Sequence, residues 1–172
     1  SDGPPDFPLT DQLINAFEAS DDRKNSWVAT KAMDGQTYYY PFKYKIGKYG
    51  EPLTEYYIVF RLAEQYLIRA ECNAHIGKIN EARNDVNIIR ERAALPATSA
   101  STTDELLTII AKERRIELFT EWGHRWVDLK RTHKATEVLA TLKPDWQPTD
   151  TLFPIPSEQI LRNPSLTQNE GY

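Results

Sequence analysis

Two segments with a helical period, separated by one short turn, constrain the fold of this chain more than any other feature. In residues 55–77 and again in residues 79–95, small and apolar side chains recur at the i, i+3, i+4 spacing of one helix face. Gly77 is suited to end the first helix, and only Lys78 then separates it from the second. Helices joined by so short a loop pack antiparallel, so the sequence predicts one tetratricopeptide-like hairpin. The buried faces are predicted to contain Phe60, Ala63, Leu67, Ala70 and Ala74 in the first helix, and Ala82, Val86, Ile89 and Ala93 in the second.

A third helix is predicted over residues 103–122, because Thr102 and Glu105 have the spacing of a capping box. Its apolar side chains are Leu106, Ile109, Ile110, Ile116 and Phe119. The chain has 172 residues, 40% of them hydrophobic, which is enough for one domain with a real core. The predicted fold class is therefore mainly α, with a tetratricopeptide-like helical hairpin, further helices, long irregular loops and a Pro-rich C-terminal wrap.

We expect a single domain over residues 1–172, made of three parts. These are a variable aromatic loop region at 1–54, a helical core at 55–131 and the C-terminal wrap at 132–172. In the first part, Thr10 is predicted to cap a short helix, and the tyrosine-rich segment 38–44 is predicted to be a short strand or an extended loop. Pro41 argues against a central strand. Turns are marked by Gly47, Gly50 and Pro52.

The C-terminal wrap contains five prolines between residues 143 and 172. A short helix is predicted at 134–142, and Ser157 is predicted to cap a single turn at 157–161. The large apolar side chains of this region are predicted to cover the helices, because they would otherwise be exposed to solvent. They are Trp146, Leu152, Phe153, Ile155 and Leu166.

Charge and cysteine content exclude some classes of protein. The net charge is −4, and the basic residues are interleaved with acidic ones, so nothing indicates nucleic-acid binding. Cys72 is the one cysteine, so no intrachain disulfide can form, and it is predicted to be a small core residue. No apolar run approaches the roughly 20 residues that span a bilayer. No signal peptide opens the sequence, which we expect to be a piece of a longer protein.

Residues 113–131 are the most charged stretch of the sequence. Glu113, Glu117 and Glu121 are four residues apart and line one helix face, where like charges repel unless cations intervene. Arg114 and Arg125 have suitable spacing to pair with them, and Asp128 follows in the same motif. Further arginines are available at positions 61, 69, 90 and 92. Because arginine binds carboxylates with a planar fork, we interpret the motif as a structural ion-paired joint between helices.

A catalytic interpretation of the same residues stays open. Glu113 or Glu117 with Glu121 could form the carboxylate pair of a glycoside hydrolase, but such an acid needs a raised pKa and every glutamate here has arginine nearby. A metal site is disfavoured, because the histidines at positions 75, 124 and 133 form no i, i+3 or i+4 pair. Trp122 and Trp126 are predicted to pack the joint. No catalytic residue, metal ligand or cofactor is assigned.

Four segments, in this order along the chain, resemble the motifs of the C-terminal half of SusD/RagB-type proteins. They are FRLAEQYLIRAE (60–71), INEARNDVNIIRERAAL (79–95), ERRIELFTEWGHRWVDLKR (113–131) and LFPIPSEQILRNPSLTQNEGY (152–172). The upstream segment NAFEASDDRK (15–24) is also similar to that family. The resemblance covers nearly the whole chain.

The resemblance implies a role that is not enzymatic. Members of the family are surface lipoproteins of Bacteroidetes-type outer membranes. Each caps a TonB-dependent SusC-like transporter and delivers oligosaccharides or other nutrients to it. The signal and lipidation site of the full-length proteins are absent from this sequence. In this family the charged motif is part of the scaffold, which agrees with the ion-pair interpretation. A tetratricopeptide-like module that binds protein is the alternative.

Glycan binding uses exposed aromatic rings against the apolar faces of sugars. The candidate ligand-binding residues are Trp27, Tyr38, Tyr39 and Tyr40. Successive side chains of an extended segment point to opposite faces, so one of Tyr38 and Tyr39 is predicted to be exposed. Packing of these rings against the helices is the alternative for each of them. Trp146 is a weaker candidate.

Overall fold

A computed structural model describes residues 3–46, 52 and 54–172, and it confirms a mainly helical fold with one small sheet. Within these residues the helices are α1 (Asp11–Ile14), α2 (Asp22–Trp27), α3 (Leu62–His75), α4 (Ile79–Arg92), α5 (Thr103–Glu117), α6 (His124–Arg131), α7 (Ala135–Leu139) and α8 (Ser157–Arg162). The strands are β1 (Val28–Met33) and β2 (Gln36–Pro41), and a 3₁₀ helix spans Pro148–Thr151. The chain divides into two compact units, Ser1–Trp122 and Gly123–Tyr172, and this division lies inside the predicted 55–131 core.

The predicted hairpin is formed by α3 and α4. Ala63, near the start of α3, clusters with Ile89, near the end of α4. The far end of α3 clusters instead with the first half of α4, as Ala74 does with Ala82. The two helices are therefore antiparallel, as predicted. Gly77 has a φ of +76°, the left-handed conformation that ends α3.

The first helix of the hairpin starts later than predicted. Residues 55–61 lie outside the helix, and Phe60 is 82% exposed, so its predicted place on the buried face is wrong. The physical reason is at Arg61, which precedes α3 in an extended conformation while its guanidinium binds buried carboxylates of the α5 region. Cys72 is also exposed, not in the core, because the buried face of α3 carries Ala70 and Ala74.

The third helix begins as predicted and ends early. Thr102 and Glu105 form both hydrogen bonds of a capping box at the start of α5. The helix ends at Glu117 and not at residue 122. Thr120, Trp122 and Gly123 have φ values of +57°, +42° and +72°, and left-handed residues cannot continue a right-handed helix. The charged motif is therefore divided between α5 and α6.

The first region confirms the predicted cap and strand. The Thr10 side chain accepts a hydrogen bond from the Leu13 amide at the start of α1, which ends after one turn. Strands β1 and β2 form an antiparallel hairpin in which Val28 faces Pro41, so the proline lies at the end of a two-stranded sheet. The turn predictions at Gly47 and Gly50 lie outside the described residues.

The second unit contains α6, α7, the 3₁₀ helix and α8. Helix α7 confirms the short helix predicted there, but Ser157 is the first helical residue of α8 and makes no capping hydrogen bond, so its predicted role is wrong. Of the apolar side chains predicted to cover the helices, Trp146 and Ile155 are half-buried. Leu152, Phe153 and Leu166 are exposed. No helix in the described part of the chain is long and apolar enough to cross a membrane.

Candidate functional site

The three glutamates of the charged motif are buried, and basic side chains from several elements converge on them. We call this cluster the ion-paired joint. Its carboxylates are Glu113, Glu117 and Glu121, and its cations are Arg23, Lys43, Arg61, Arg90 and Arg92. The cations come from α2, α4 and the chain segments after β2 and before α3. The joint therefore ties distant parts of the first unit to one end of α5.

Glu117 lies at the centre of the joint. Its Oε2 lies 2.6 Å from Nη2 of Arg92 and 3.2 Å from Nη1 of Arg23, and its Oε1 lies 2.9 Å from Nη1 of Arg61. Burial opposes the charge of this side chain, but the three arginines outweigh burial and hold the pKa of Glu117 below its usual value. The carboxylate is therefore ionised at neutral pH.

The two flanking glutamates are paired in the same way. Glu113 accepts a hydrogen bond from Nη1 of Arg90 at 2.7 Å, and its other oxygen lies 2.9 Å from Nη2 of Arg23 in an ion pair. Glu121 accepts hydrogen bonds from the Lys43 amine at 2.6 Å and from Nε of Arg61 at 3.0 Å. Each of the three carboxylates thus contacts at least two cations, and Arg23 and Arg61 each bridge two carboxylates.

Two cations of the joint, Arg23 and Lys43, were not predicted from the sequence. Arg23 is 3% exposed and is held by Asp21, whose carboxylate accepts from both Nε and Nη2. The pair Asp21 and Arg23 is a local signal that could have indicated a buried arginine. Lys43 lies in the tyrosine-rich segment 38–44, and the aromatic pattern of that segment does not indicate a buried amine. Burial lowers its pKa to about 8, although it donates to Glu121 and to two backbone carbonyls.

Other predicted members of the motif lie elsewhere. Arg114 lies 3.8 Å from the carboxylate of Glu64, and Arg69 binds Asp85 across the α3–α4 hairpin at 2.7 Å. Arg125 is exposed on α6. Asp128 pairs with Arg131 on the same helix at 2.8 Å. The joint therefore uses arginines from other elements more than those of the motif itself.

Trp27, the first candidate ligand-binding residue, lies against the joint. The Lys43 amine is 4.7 Å from the centroid of its ring, and the Arg61 and Arg92 guanidinium carbons are at 5.6 and 5.9 Å. The Phe119 ring is 6.4 Å away. Cations near an aromatic face are attracted to it, so Trp27 contributes packing and charge stabilisation here.

The three candidate tyrosines are in β2. Tyr38, Tyr39 and Tyr40 face Lys31, Thr30 and Ala29 of β1, and all three are half-buried. Neither Tyr38 nor Tyr39 is exposed, so the prediction that one of the two would be exposed is wrong. The Tyr38 hydroxyl donates to Gln36 at 3.1 Å, on the same strand.

A second group of aromatic rings lines an open cleft in the unit Gly123–Tyr172. The ring of Trp126 on α6 meets those of Trp146 and Phe153 nearly edge to face, at centroid distances of 6.2 and 6.4 Å. We call this the aromatic cleft; its volume is about 730 Å³. Trp126 thus packs within its own unit, and Trp122, predicted to pack the joint, is 59% exposed. Among the described residues, no cluster of His, Cys, Asp or Glu is arranged to hold a metal ion.

Comparison with known proteins finds relatives that all belong to one family. The sequence model of the SusD family matches residues 12–144. SusD-like protein P38 of Formosa agariphila is 38% identical over 124 residues, which is 67% of this chain and 24% of that protein. SusD-like protein P2 of the same organism is 36% identical over 78% of this chain and 29% of its own length. The chain thus spans about a quarter of the length of these relatives.

Solved structures have the same fold. A SusD superfamily protein from Bacteroides vulgatus aligns over 96% of this chain and 44% of its own length, with a TM-score of 0.75 and 22% identity. Surface glycan-binding protein A from Bacteroides uniformis aligns over 94% of this chain and 40% of its own, with a TM-score of 0.73 and 25% identity.

Proposed function

The chain belongs to the SusD family, and from this premise we propose that it is part of a surface lipoprotein that binds glycans or other nutrients without transforming them. The observation that carries the proposal is the match of the family over residues 12–144, together with a fold shared with a surface glycan-binding protein over 94% of the chain. The protein would act in polysaccharide utilisation, at the outer membrane of the cell.

The proposed partner is a TonB-dependent, SusC-like transporter, which would receive the bound ligand. This step rests on the role that the family resemblance implies. The chain spans about a quarter of the length of its curated relatives, so the transporter contact belongs to the whole protein and not to this chain alone.

The state of the carboxylates supports a role without catalysis. A general acid for glycoside hydrolysis must hold a proton near neutral pH, which requires a raised pKa. The pKa of Glu117 is lowered instead, and its two oxygens already bind three arginines. Glu113 and Glu121 are similarly occupied by cations. These residues would contribute by holding elements of the first unit together.

The experiment is isothermal calorimetry of the protein containing this chain against neutral oligosaccharides, combined with chromatography of each sugar after long incubation. We expect binding to at least one class of oligosaccharide and no shortening of any. If the wild-type protein releases shorter sugars and a Glu117→Gln variant does not, the proposal is overturned in favour of a hydrolase. Binding of a peptide and of no sugar would favour the protein-interaction alternative. Co-purification of the whole protein with a TonB-dependent transporter from its own cells tests the proposed partner.

A further inference from the structure

The second unit carries a site that the charged motif and the predicted tyrosines do not account for. Resting on the glycan-binding role proposed above, we infer that the aromatic cleft binds pyranose rings of a neutral oligosaccharide, with the exposed ring of Phe153 as a stacking platform. The rings that form it, Trp126, Trp146 and Phe153, lie within 28 positions of one another in the sequence and in one compact unit.

The geometry of the rings leaves aromatic surface available. Trp126 meets Trp146 at an angle of 78° and Phe153 at 65°, so in neither pair do two ring faces cover each other. One face of Trp126 already has the Lys130 amine at 5.4 Å. Phe153 is 72% exposed, and Trp146 is half-buried. An exposed apolar ring beside a concave aromatic wall is suited to the C–H face of a sugar ring.

The backbone that carries Phe153 is held by hydrogen bonds from the C-terminal segment, residues 168–172. The Asn169 side-chain amide donates to the carbonyl of Phe153 at 2.7 Å, and the Tyr172 hydroxyl donates to the carbonyl of Leu152 at 2.8 Å. Gln168 exchanges two hydrogen bonds with the backbone of Ile155, at 2.8 and 2.9 Å. A ring placed on a fixed backbone loses less conformational freedom when it binds, which favours affinity.

The opposite wall is fixed as well. The Trp146 indole N–H lies 3.4 Å from the Thr136 hydroxyl of α7, and the Asp150 carboxylate accepts the Gln147 amide at 2.8 Å in a capping arrangement. The cleft is therefore built from α6, the segment after α7 and the 3₁₀ helix, and the C-terminal segment holds its outer ring.

The polar groups at the cleft suit a neutral, hydroxyl-rich ligand. Asp145 is exposed and makes no hydrogen bond or ion pair with any residue that the structure describes, so its oxygens are open to sugar hydroxyls. Asp150 and Lys143 also line the cleft, and Lys130 lies on Trp126. Two carboxylates and two amines balance, so the cleft has no excess charge to favour an acidic sugar. The volume of about 730 Å³ lies in the range of roughly 300–1,000 Å³ that is usual for small-ligand sites.

The test is NMR of the 172-residue chain, following the tryptophan indole resonances during titration with neutral gluco-, manno-, galacto- and xylo-oligosaccharides. We expect the Trp146 or Trp126 indole signal to shift with at least one sugar, and Phe153→Ala to weaken that affinity at least tenfold. Phe153→Tyr keeps the ring and should bind normally. Phe7→Ala removes another exposed phenylalanine, 80% exposed, and should also bind normally. Because Phe153 is exposed, the fold of its variants is expected to survive.

Each other outcome has a distinct meaning. If binding persists in Phe153→Ala and is lost in Tyr38→Ala or Tyr39→Ala, the cleft proposal is overturned, while the glycan-binding function stands with its site in the β1–β2 hairpin. An oligosaccharide of uronic acids is titrated in parallel, and if it alone binds, the assignment to neutral sugars is overturned. If the chain binds no sugar but the longer protein does, the cleft is again not the site. If neither binds, the proposed function fails with it.

Discussion

The ion-paired joint and the aromatic cleft contain the same kinds of side chain and leave them in opposite states. In the joint, Trp27 is surrounded by cations and the carboxylate of Glu117 binds three arginines. In the cleft, Phe153 is 72% exposed and the carboxylate of Asp145 is open. A carboxylate can bind a ligand only if its oxygens are not already occupied by cations of the protein. An aromatic ring can do so only if one of its faces is not already covered. Residue type alone would not have separated the two regions.

The ion-paired joint mainly determines which elements pack against one another. It contributes less to the net stability of the fold. Removing charges from water costs several kcal/mol per ion, and their mutual attraction roughly returns that cost. Breaking one pair is different, because the partner is then left buried with an uncompensated charge. The arginines of the joint come from α2, α4 and the segment before α3, so we expect the joint to act by fixing the positions of these elements around α5.

The largest expected effect is that of Glu117→Gln. This change keeps the shape of the side chain but removes the charge that three arginines share, and losing one partner of a buried pair typically costs about 3–5 kcal/mol. Chemical denaturation followed by circular dichroism measures the loss.

The matched control for Glu117→Gln is Glu137→Gln. Glu137 is also paired, to Lys134 at 2.6 Å, but both side chains are more than half exposed. An exposed pair is worth about 0–1 kcal/mol, so this variant should unfold almost as wild type does. If Glu117→Gln were equally stable and lost sugar binding instead, the joint would be the binding site and the comparison would be reversed.

A smaller effect is expected for Gly171→Ala, which tests how the C-terminal segment holds the cleft. Gly171 has a φ of +97°, and a Cβ there would lie 2.6 Å from Oγ1 and 2.8 Å from Cβ of Thr149 in the 3₁₀ helix. Strain of this kind costs about 1–3 kcal/mol. We expect protease cleavage of the C-terminal segment to become faster and sugar affinity to fall. Gly3→Ala, with nothing within 4 Å, should change neither. Unchanged proteolysis and affinity in Gly171→Ala would mean that the segment does not support the cleft.

Asn169→Ala removes one hydrogen bond and should have a smaller effect than Gly171→Ala. The lost contact is the one from the Asn169 amide to the carbonyl of Phe153, and a hydrogen bond of this kind contributes about 0.5–1.5 kcal/mol. Hydrogen exchange of the amides around Phe153 should accelerate, while Gln159→Ala, an exposed change on α8, should leave it unaltered. Equal exchange in both variants would contradict the proposed fixing of the platform.

The parts of the fold that the sequence predicts are those set by local chemistry. The α3–α4 hairpin follows from the period of Ala63, Leu67, Ala70 and Ala74, and from the stop at Gly77. The start of α5 follows from the capping box at Thr102. These signals lie within one or two helical turns of the residues that they position, so no knowledge of distant contacts is needed to use them.

The parts that the sequence does not predict depend on distant partners. Arg23 contacts Glu117 across 94 positions of the sequence, and Lys43 contacts Glu121 across 78. The same long-range contacts explain the late start of α3, because Arg61 binds Glu117 and Glu121 from an extended conformation. Of the aromatic cleft, only Trp146 was named from the sequence as a ligand-binding residue, as a weaker candidate, since the edge-to-face arrangement of its rings is a property of the folded unit.

The smallest expected effect is in the acid stability that Glu18 contributes at the edge of the joint. Hydrogen bonds from Arg90 and Lys112 lower the pKa of Glu18 to about 2 in the folded chain, from an ordinary value of 4.5. Between these two pH values the unfolded chain binds more protons, so the contribution of Glu18 is complete above about pH 4.5 and is lost as the pH falls toward 2. The side chain is 30% exposed and screened by solvent, so the contribution is within about 1 kcal/mol. Thermal melts of wild type and Glu18→Gln at pH 7, 4 and 3 measure it: the gap between the two proteins should narrow as the pH falls and should shrink in high salt. A gap that widened in acid would mean that Glu18 is protonated in the folded chain and that the edge of the joint is not ion-paired.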